Sequence, residues 1–123
     1  MRDDKKNIIV EKTLEFSLLI IDHSELLEEK RKYVIARQIL KSGTSIGANV
    51  REAQNAESKA DFIHKMKIAA KEADETEYWL LLCQNSKNYP DCNELQKKPD
   101  EIIRILSKII ASSKKSFSNF QIN

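Results

Sequence analysis

The stretch KSGTSIGANVREA, Lys41–Ala53, contains both glycines of this 123-residue chain, Gly43 and Gly47. They are four residues apart, within a segment whose apolar residues follow helical spacing. A glycine in a helix interior costs about 1 kcal/mol relative to alanine, so each position calls for a structural reason. Either the glycines end a short helix, or they allow a neighbouring helix to approach a continuous one.

Both interpretations are compatible with the apolar seam around this stretch. At Ser42 and Gly43 the apolar residue expected from the helical spacing is absent. After this gap, apolar residues return at the positions that one continuous helix would give. The members of the seam are Ile35, Ile39, Ile46, Val50 and Ala53. A turn at Gly43 would make the segment a helix-turn-helix, which is a DNA-reading element. A continuous helix would instead use Gly43 and Gly47 as close-approach positions, and the unbroken phase favours this interpretation.

Helical spacing elsewhere predicts three further helices. The third helix has the most regular seam, which steps alternately by four and three residues: Phe62, Met66, Ala69, Ala73, Thr76, Leu80 and Cys83. Short polar connections separate the segments, which favours antiparallel neighbours. We therefore expect residues 1–123 to form one all-α domain, an antiparallel up-down-up-down four-helix bundle. The predicted helices span about 7–29, 33–56, 58–86 and 92–118. The last has Phe117 in its stripe, and Pro99 lies at or near a start or a kink of this helix.

Composition predicts a soluble protein. The chain is 41% hydrophobic and 33% charged, and its longest uncharged apolar run is too short to cross a bilayer. The amino-terminal sequence MRDDKKN lacks the apolar core of a signal peptide, so we expect a cytoplasmic protein without membrane contact. Two cysteines, Cys83 and Cys92, are too few for a zinc site or a disulfide framework. We expect both to be free thiols, with Cys83 buried.

The net charge of +2 is small, but the charges are segregated along the chain. Residues 30–71 carry ten basic and three acidic side chains, and residues 97–123 carry six and two. Residues 1–29 and 72–96 are acidic by comparison. Basic surface of this kind binds phosphates without base selectivity, although charge runs are more often simply solvated. Residues four apart share a helical face, so the predicted nucleic-acid-binding residues are Arg37, Lys41, Arg104 and Lys108.

A stripe of polar residues accompanies the apolar seam of the second helix. Its members, Gln38, Ser42, Ser45, Asn49 and Glu52, repeat by four and three, and Glu72, Glu75 and Tyr78 do the same on the third helix. Uncharged polar residues in a regular stripe indicate a partly buried hydrogen-bonded contact, within the bundle or between subunits. Trp79 is assigned to the same structural role, at an interface or the edge of the core.

Catalytic and metal-binding patterns are absent from the sequence. A di-iron bundle needs Glu-x-x-His on two helices, and only one loose analogue occurs, Asp61-x-x-His64. No glycine-rich phosphate loop follows a strand, and neither cysteine has a nearby histidine partner. We therefore expect no enzymatic activity, no cofactor and no metal.

The segment from Arg37 to Leu82 strongly resembles a bacterial four-helix-bundle family. This family comprises proteins encoded in intervening sequences of 23S ribosomal RNA genes and the accessory variability determinants of diversity-generating retroelements. The likeness extends loosely over about residues 8–120. It rests on Gln38, Ser42-Gly43-Thr44-Ser45-Ile46-Gly47-Ala48-Asn49, Glu52-Ala53, Ser58, Phe62, Lys65, Lys71-Glu72-Ala73, Glu75-Thr76 and Tyr78-Trp79-Leu80.

The resemblance implies a homopentameric barrel of four-helix protomers with a basic surface for nucleic acid. In retroelements it also implies a reverse transcriptase partner. Pro99 departs from the uninterrupted fourth helix of the family. The sequence itself indicates self-association, because Leu18, Leu19, Ile20 and Ile21 are consecutive and make the first helix apolar on more than one face. We expect a self-assembling subunit that binds RNA or DNA, with a protein-directed adaptor for an acidic partner as the alternative.

Overall fold

The computed structural model describes the backbone of residues 7–122 and the side chains of residues 7–115. The described part is all-α, with four long helices and one short one. They are α1 (Ile8–Glu29), α2 (Tyr33–Ala53), α3 (Lys59–Asn85), α4 (Asn93–Gln96) and α5 (Lys98–Ile122). The predicted side-chain position of Phe117 and the first six residues lie outside the described residues.

The long helices form the predicted four-helix bundle. Neighbours along the chain pack against each other, α1 on α2, α2 on α3 and α3 on α5, whereas α1 and α5 touch only lightly. The core runs along the predicted seams. On α3, Met66, Ala69, Ala73 and Leu80 are completely buried.

Side-chain caps fix the starts of α1 and α3. Asn7 Oδ1 accepts a hydrogen bond from the Val10 amide at 3.4 Å, and Ser58 Oγ accepts one from the Asp61 amide at 3.0 Å. Asn7 Nδ2 also donates to Gln54 Oε1 at 2.9 Å. The start of α1 is thereby tied to the residue that follows α2.

The second helix is continuous through both glycines. Neither glycine has positive φ, and α2 runs unbroken from Tyr33 to Ala53. The reason for glycine is the neighbouring helix: a Cβ at Gly43 would lie 2.7 Å from Ile20 Cγ1 and 2.8 Å from Ile20 Cγ2. A Cβ at Gly47 would lie 3.3 Å from both Ser17 Oγ and the Thr13 carbonyl oxygen. The close-approach interpretation holds, and the helix-turn-helix interpretation is wrong.

The last predicted helix is divided in the structure. The range 92–118 contains the four-residue α4 and most of α5, with the division at Lys97. Pro99 lies in the first turn of α5, where its missing N–H is not needed and its ring disfavours helical backbone at the preceding residue. Cys92 and Leu95 of the α4 region are buried and close one end of the core.

Loops at that end of the bundle are linked by a cation–π contact. Lys32 Nζ, between α1 and α2, lies 4.9 Å from the centre of the Tyr89 ring, which precedes α4. Arg31 and Asn88 have positive φ, 64° and 65°, in these same loops. Across residues 7–122, no helix combines the length and the apolar character needed to cross a lipid bilayer.

Replacing Gly43 by Ala is expected to destabilise the protein. The substitution gains about 1 kcal/mol of helix propensity, but the overpacking against buried Ile20 costs about 1–3 kcal/mol. Chemical denaturation followed by circular dichroism measures the net loss. Gly43→Leu should lose more stability, and Gly47→Ala less, because its nearest contacts are at 3.3 Å.

The double variant Gly43→Ala with Ile20→Ala provides the control. Removing the Ile20 side-chain atoms that meet the new methyl group should make the Gly43→Ala step neutral or stabilising. A melting temperature unchanged by Gly43→Ala and Gly43→Leu, with an unchanged oligomer mass, would show that Gly43 is not a close-approach position.

Candidate functional site

The four basic residues predicted to bind nucleic acid lie on two helices that do not face each other. Arg37 and Lys41 are exposed on α2, and Arg104 and Lys108 are exposed on α5. Because α2 packs against α1 and α3, and α5 packs mainly against α3, the two pairs occupy opposite corners of the bundle. The structure therefore supplies two separate basic pairs, and their role in binding stays a prediction.

Nearby carboxylates partly neutralise each pair. Arg104 Nε lies 3.0 Å from Asp100 Oδ2, in an ion pair exposed enough to contribute little stability. The Lys41 ammonium lies near Glu72. Burial and the neighbouring Glu75 raise the pKa of Glu72, and Lys41 partly opposes this rise.

A different basic cluster lies where α3 meets α5. The exposed side chains of Lys67 and Lys114 lie close to each other, and the proximity of Lys114 lowers the pKa of Lys67. Lys71, one helical turn after Lys67, and Lys115, adjacent to Lys114 in the sequence, are exposed as well. Lys65, two residues earlier, instead turns toward α2 and lies 3.6 Å from Glu52. We call Lys67, Lys71, Lys114 and Lys115 the α3–α5 lysine cluster.

The sequence analysis did not predict this cluster. Spacing within one helix places Lys65 and Lys67, two residues apart, on different faces of α3. It could not give the register between α3 and α5, which places Lys67 beside Lys114. No helical-face argument within a single segment contains that information.

The polar stripe of α2 contributes one residue to the core. Ser42 is 1% exposed, and its Oγ accepts a hydrogen bond from Thr76 Oγ1, itself fully buried, at 2.9 Å. Thr76 Oγ1 is also 2.7 Å from the Glu72 carbonyl oxygen of its own helix. This bond fixes the register between α2 and α3, since either hydroxyl would otherwise lose a buried partner.

The other stripe residues lie at the outer edge of the α2–α3 contact. Ser45 and Asn49 donate to carbonyl oxygens of α2 itself, at 2.6 Å and 2.9 Å. Trp79 is half-buried and donates from Nε1 to Glu75 Oε2 at 3.0 Å. Tyr78 is 56% exposed. Gln38 and Glu52 are exposed as well, so most of the stripe is surface, available to a neighbouring subunit.

One outer face of α1 is apolar and exposed. Leu14 is 59% exposed and Leu18 55%, and Ile21 follows one turn later. Beside Leu14, a cleft of about 200 Å³ runs between α1 and α2 and is floored by Gly47 and Ala48. Exposed apolar stripes of this kind mark interaction surfaces.

The cysteines have the properties of structural thiols. Both are free and buried, as predicted for Cys83. Burial raises the pKa of Cys83 to about 11 and also raises that of Cys92, which disfavours the nucleophilic thiolate. Within the described residues, no group of three or more histidine, cysteine or acidic side chains is placed to hold a metal ion.

Comparison with known proteins identifies the family. The model of the 23S rRNA-intervening sequence proteins matches residues 5–108. The chain belongs to this family. A crystal structure of a protein of unknown function from the S23 ribosomal protein family of Bacteroides thetaiotaomicron is 44% identical in sequence, with a TM-score of 0.78. The similarity covers 83% of this chain and 97% of that one. No curated protein matches the chain.

Proposed function

We propose that this member of the 23S rRNA-intervening sequence protein family is a non-enzymatic, self-assembling subunit whose basic surface binds RNA or DNA. The observation that carries the proposal is the approach of Lys67 to Lys114. These two exposed side chains come from different helices, Lys114 lowers the pKa of Lys67, and neither lysine forms an ion pair with a described residue. A phosphate group placed between them would relieve their mutual repulsion.

The surroundings of this pair support a phosphate-binding surface. Lys71 lies one helical turn from Lys67, and Lys108 lies on the same helix as Lys114 and Lys115. Neutralising several phosphates releases counterions and gives affinity without base selectivity. Since the family name refers to the intervening sequence of 23S rRNA, an RNA is the first ligand to test.

Self-assembly is the second part of the proposal. The exposed stripe of Leu14, Leu18 and Ile21 on α1 supplies an apolar surface that a second subunit would cover. A homopentamer is the form that the family resemblance implies, and the amino-terminal sequence predicts a cytoplasmic location. The outer polar stripe of α2 and α3 would then provide hydrogen bonds at subunit boundaries.

Reversing Lys67 and Lys114 to Glu is expected to weaken RNA binding and flatten its salt dependence. Each lost phosphate contact should lower the slope of log affinity against log salt by about 1, so the double variant should lose about 2. Fluorescence anisotropy with a labelled mixed-sequence RNA, over a series of salt concentrations, measures the slope. A separate variant with Arg37, Lys41, Arg104 and Lys108 all replaced by Glu is also expected to lower the affinity for RNA while leaving helicity intact.

The matched control replaces Lys87 and Lys97 by Glu. It changes the net charge by the same amount as the Lys67 and Lys114 variant, but Lys87 follows the other end of α3 and Lys97 lies beside α4. It should retain the parent's slope. An unchanged slope in the Lys67 and Lys114 variant would contradict the placement of the site. A parent protein that does not bind RNA or DNA at low salt would reject nucleic-acid binding and favour a protein-directed adaptor, for example for a reverse transcriptase.

Replacing Leu14 and Leu18 by Glu is expected to dissociate the assembly. Two buried carboxylates would be introduced at the proposed interface, whereas both side chains are more than half exposed in the single chain, so folding should survive. Light scattering gives the mass, and circular dichroism checks helicity. Asn55→Glu with Ser107→Glu adds the same charge elsewhere and should leave the mass unchanged. A parent protein with the mass of one chain at micromolar concentration would contradict self-assembly.

A further inference from the structure

The light contact between α1 and α5 leaves an open groove at the α4 end of the bundle. Its volume is about 320 Å³, at the lower end of the range for small-molecule sites. Leu19 and Leu26 of α1 and Leu95 of α4 supply apolar lining. Three carboxylates, those of Asp22, Asp91 and Glu94, lie around it with one lysine, Lys98.

A small hydrogen-bond network positions the Asp91 carboxylate. Gln84 Nε2 of α3 donates to Asp91 Oδ1 at 3.0 Å. Gln84 Oε1 in turn accepts the Cys92 amide at 2.9 Å, and Cys92 Sγ lies 3.3 Å from the same oxygen. One side chain of the bundle therefore anchors the loop that carries Asp91. Such anchoring holds a binding group in place before a ligand arrives.

A buried histidine also lines the groove. His23 is 8% exposed, and its Nε2 atom has no hydrogen-bond partner among the described residues. Burial lowers the pKa of His23, and the nearby Asp91 carboxylate opposes part of that change. An unpaired buried polar atom costs about 1–3 kcal/mol, and Nε2 has almost no accessible surface, so His23 forms part of the groove wall and is not itself a ligand contact.

The charged side chains around the groove determine which ligand charge is favoured. Glu94 is 3.5 Å from Lys97, and Glu101 pairs with Lys12 at 2.8 Å, so the Lys98 ammonium offsets one of the two remaining carboxylate charges of the groove. Asp22 forms no ion pair with any described residue, and Asp91 is held by the neutral Gln84. A cation is therefore favoured, and the leucine lining favours an apolar body attached to it.

We propose that this groove binds a small primary amine with an apolar body. The ammonium group pairs with Asp91 and Asp22 beside His23, and the apolar body lies against Leu19, Leu26 and Leu95. The site is separate from the α3–α5 lysine cluster, so the proposal does not depend on nucleic-acid binding.

Ligand-observed NMR titration of the full chain with phenethylamine tests the proposal. 2-Phenylethanol and 3-phenylpropionate carry the same ring with a neutral or an anionic head group. We expect the amine to bind at least about tenfold more tightly than the alcohol, because the hydrogen bond to a carboxylate is charge-assisted. The carboxylate analogue should bind most weakly. Equal affinities for the amine and the alcohol would overturn the assignment of a cation site.

Two variants locate the ammonium group. Asp91→Asn should weaken phenethylamine binding about tenfold, and Asp22→Asn should weaken it without touching the loop that Gln84 anchors. Asp74→Asn, an exposed carboxylate on α3, is the matched control and should bind like the parent. Parent-like binding by both Asp91→Asn and Asp22→Asn, or no binding by the parent protein, would overturn the proposal.

Discussion

The contact between Ile20 and Gly43 sets the distance between the first two helices, and the rest of the bundle depends on it. Because glycine has no Cβ, the fully buried Ile20 side chain packs directly on the α2 backbone. One turn further along α2, Gly47 meets Thr13 and Ser17 in the same way. Their hydroxyl groups donate to carbonyl oxygens within α1, so this close contact leaves neither hydroxyl unpaired.

The opposite side of α2 carries the second constraint, the hydrogen bond between Ser42 and Thr76. Ser42 and Gly43 are adjacent, so one short segment of α2 fixes its position against both α1 and α3. The α5 helix packs mainly against α3, and the antiparallel register of these two helices places Lys67 near Lys114. At the other end of the bundle, the light α1–α5 contact leaves the groove beside His23. Both proposed sites thus result from registers between helices.

The four long helices, the fold class and most core residues were predictable from sequence, because amphipathic periodicity is a local signal. The Met66 to Cys83 seam is an example, since its spacing alone identifies the buried face of α3. The role of Gly43 could be stated only as two alternatives, since Ile20 lies on another helix. The division at Lys97 was missed because Pro99 is compatible with either a start or a kink. The lysine cluster and the groove require inter-helix registers, which spacing within one helix does not contain.

Native-state hydrogen exchange across α2 distinguishes a close-packed continuous helix from a hinge, because the amides of the two open differently. We predict that the amides of Gly43, Ile46 and Gly47 exchange only through global unfolding, with the same free energy as those of the flanking Ile39 and Val50. Exchange of residues 43–47 through a local opening of much lower free energy would show a hinge at the glycines. That result would contradict the claim that the Ile20–Gly43 contact holds α1 and α2 together.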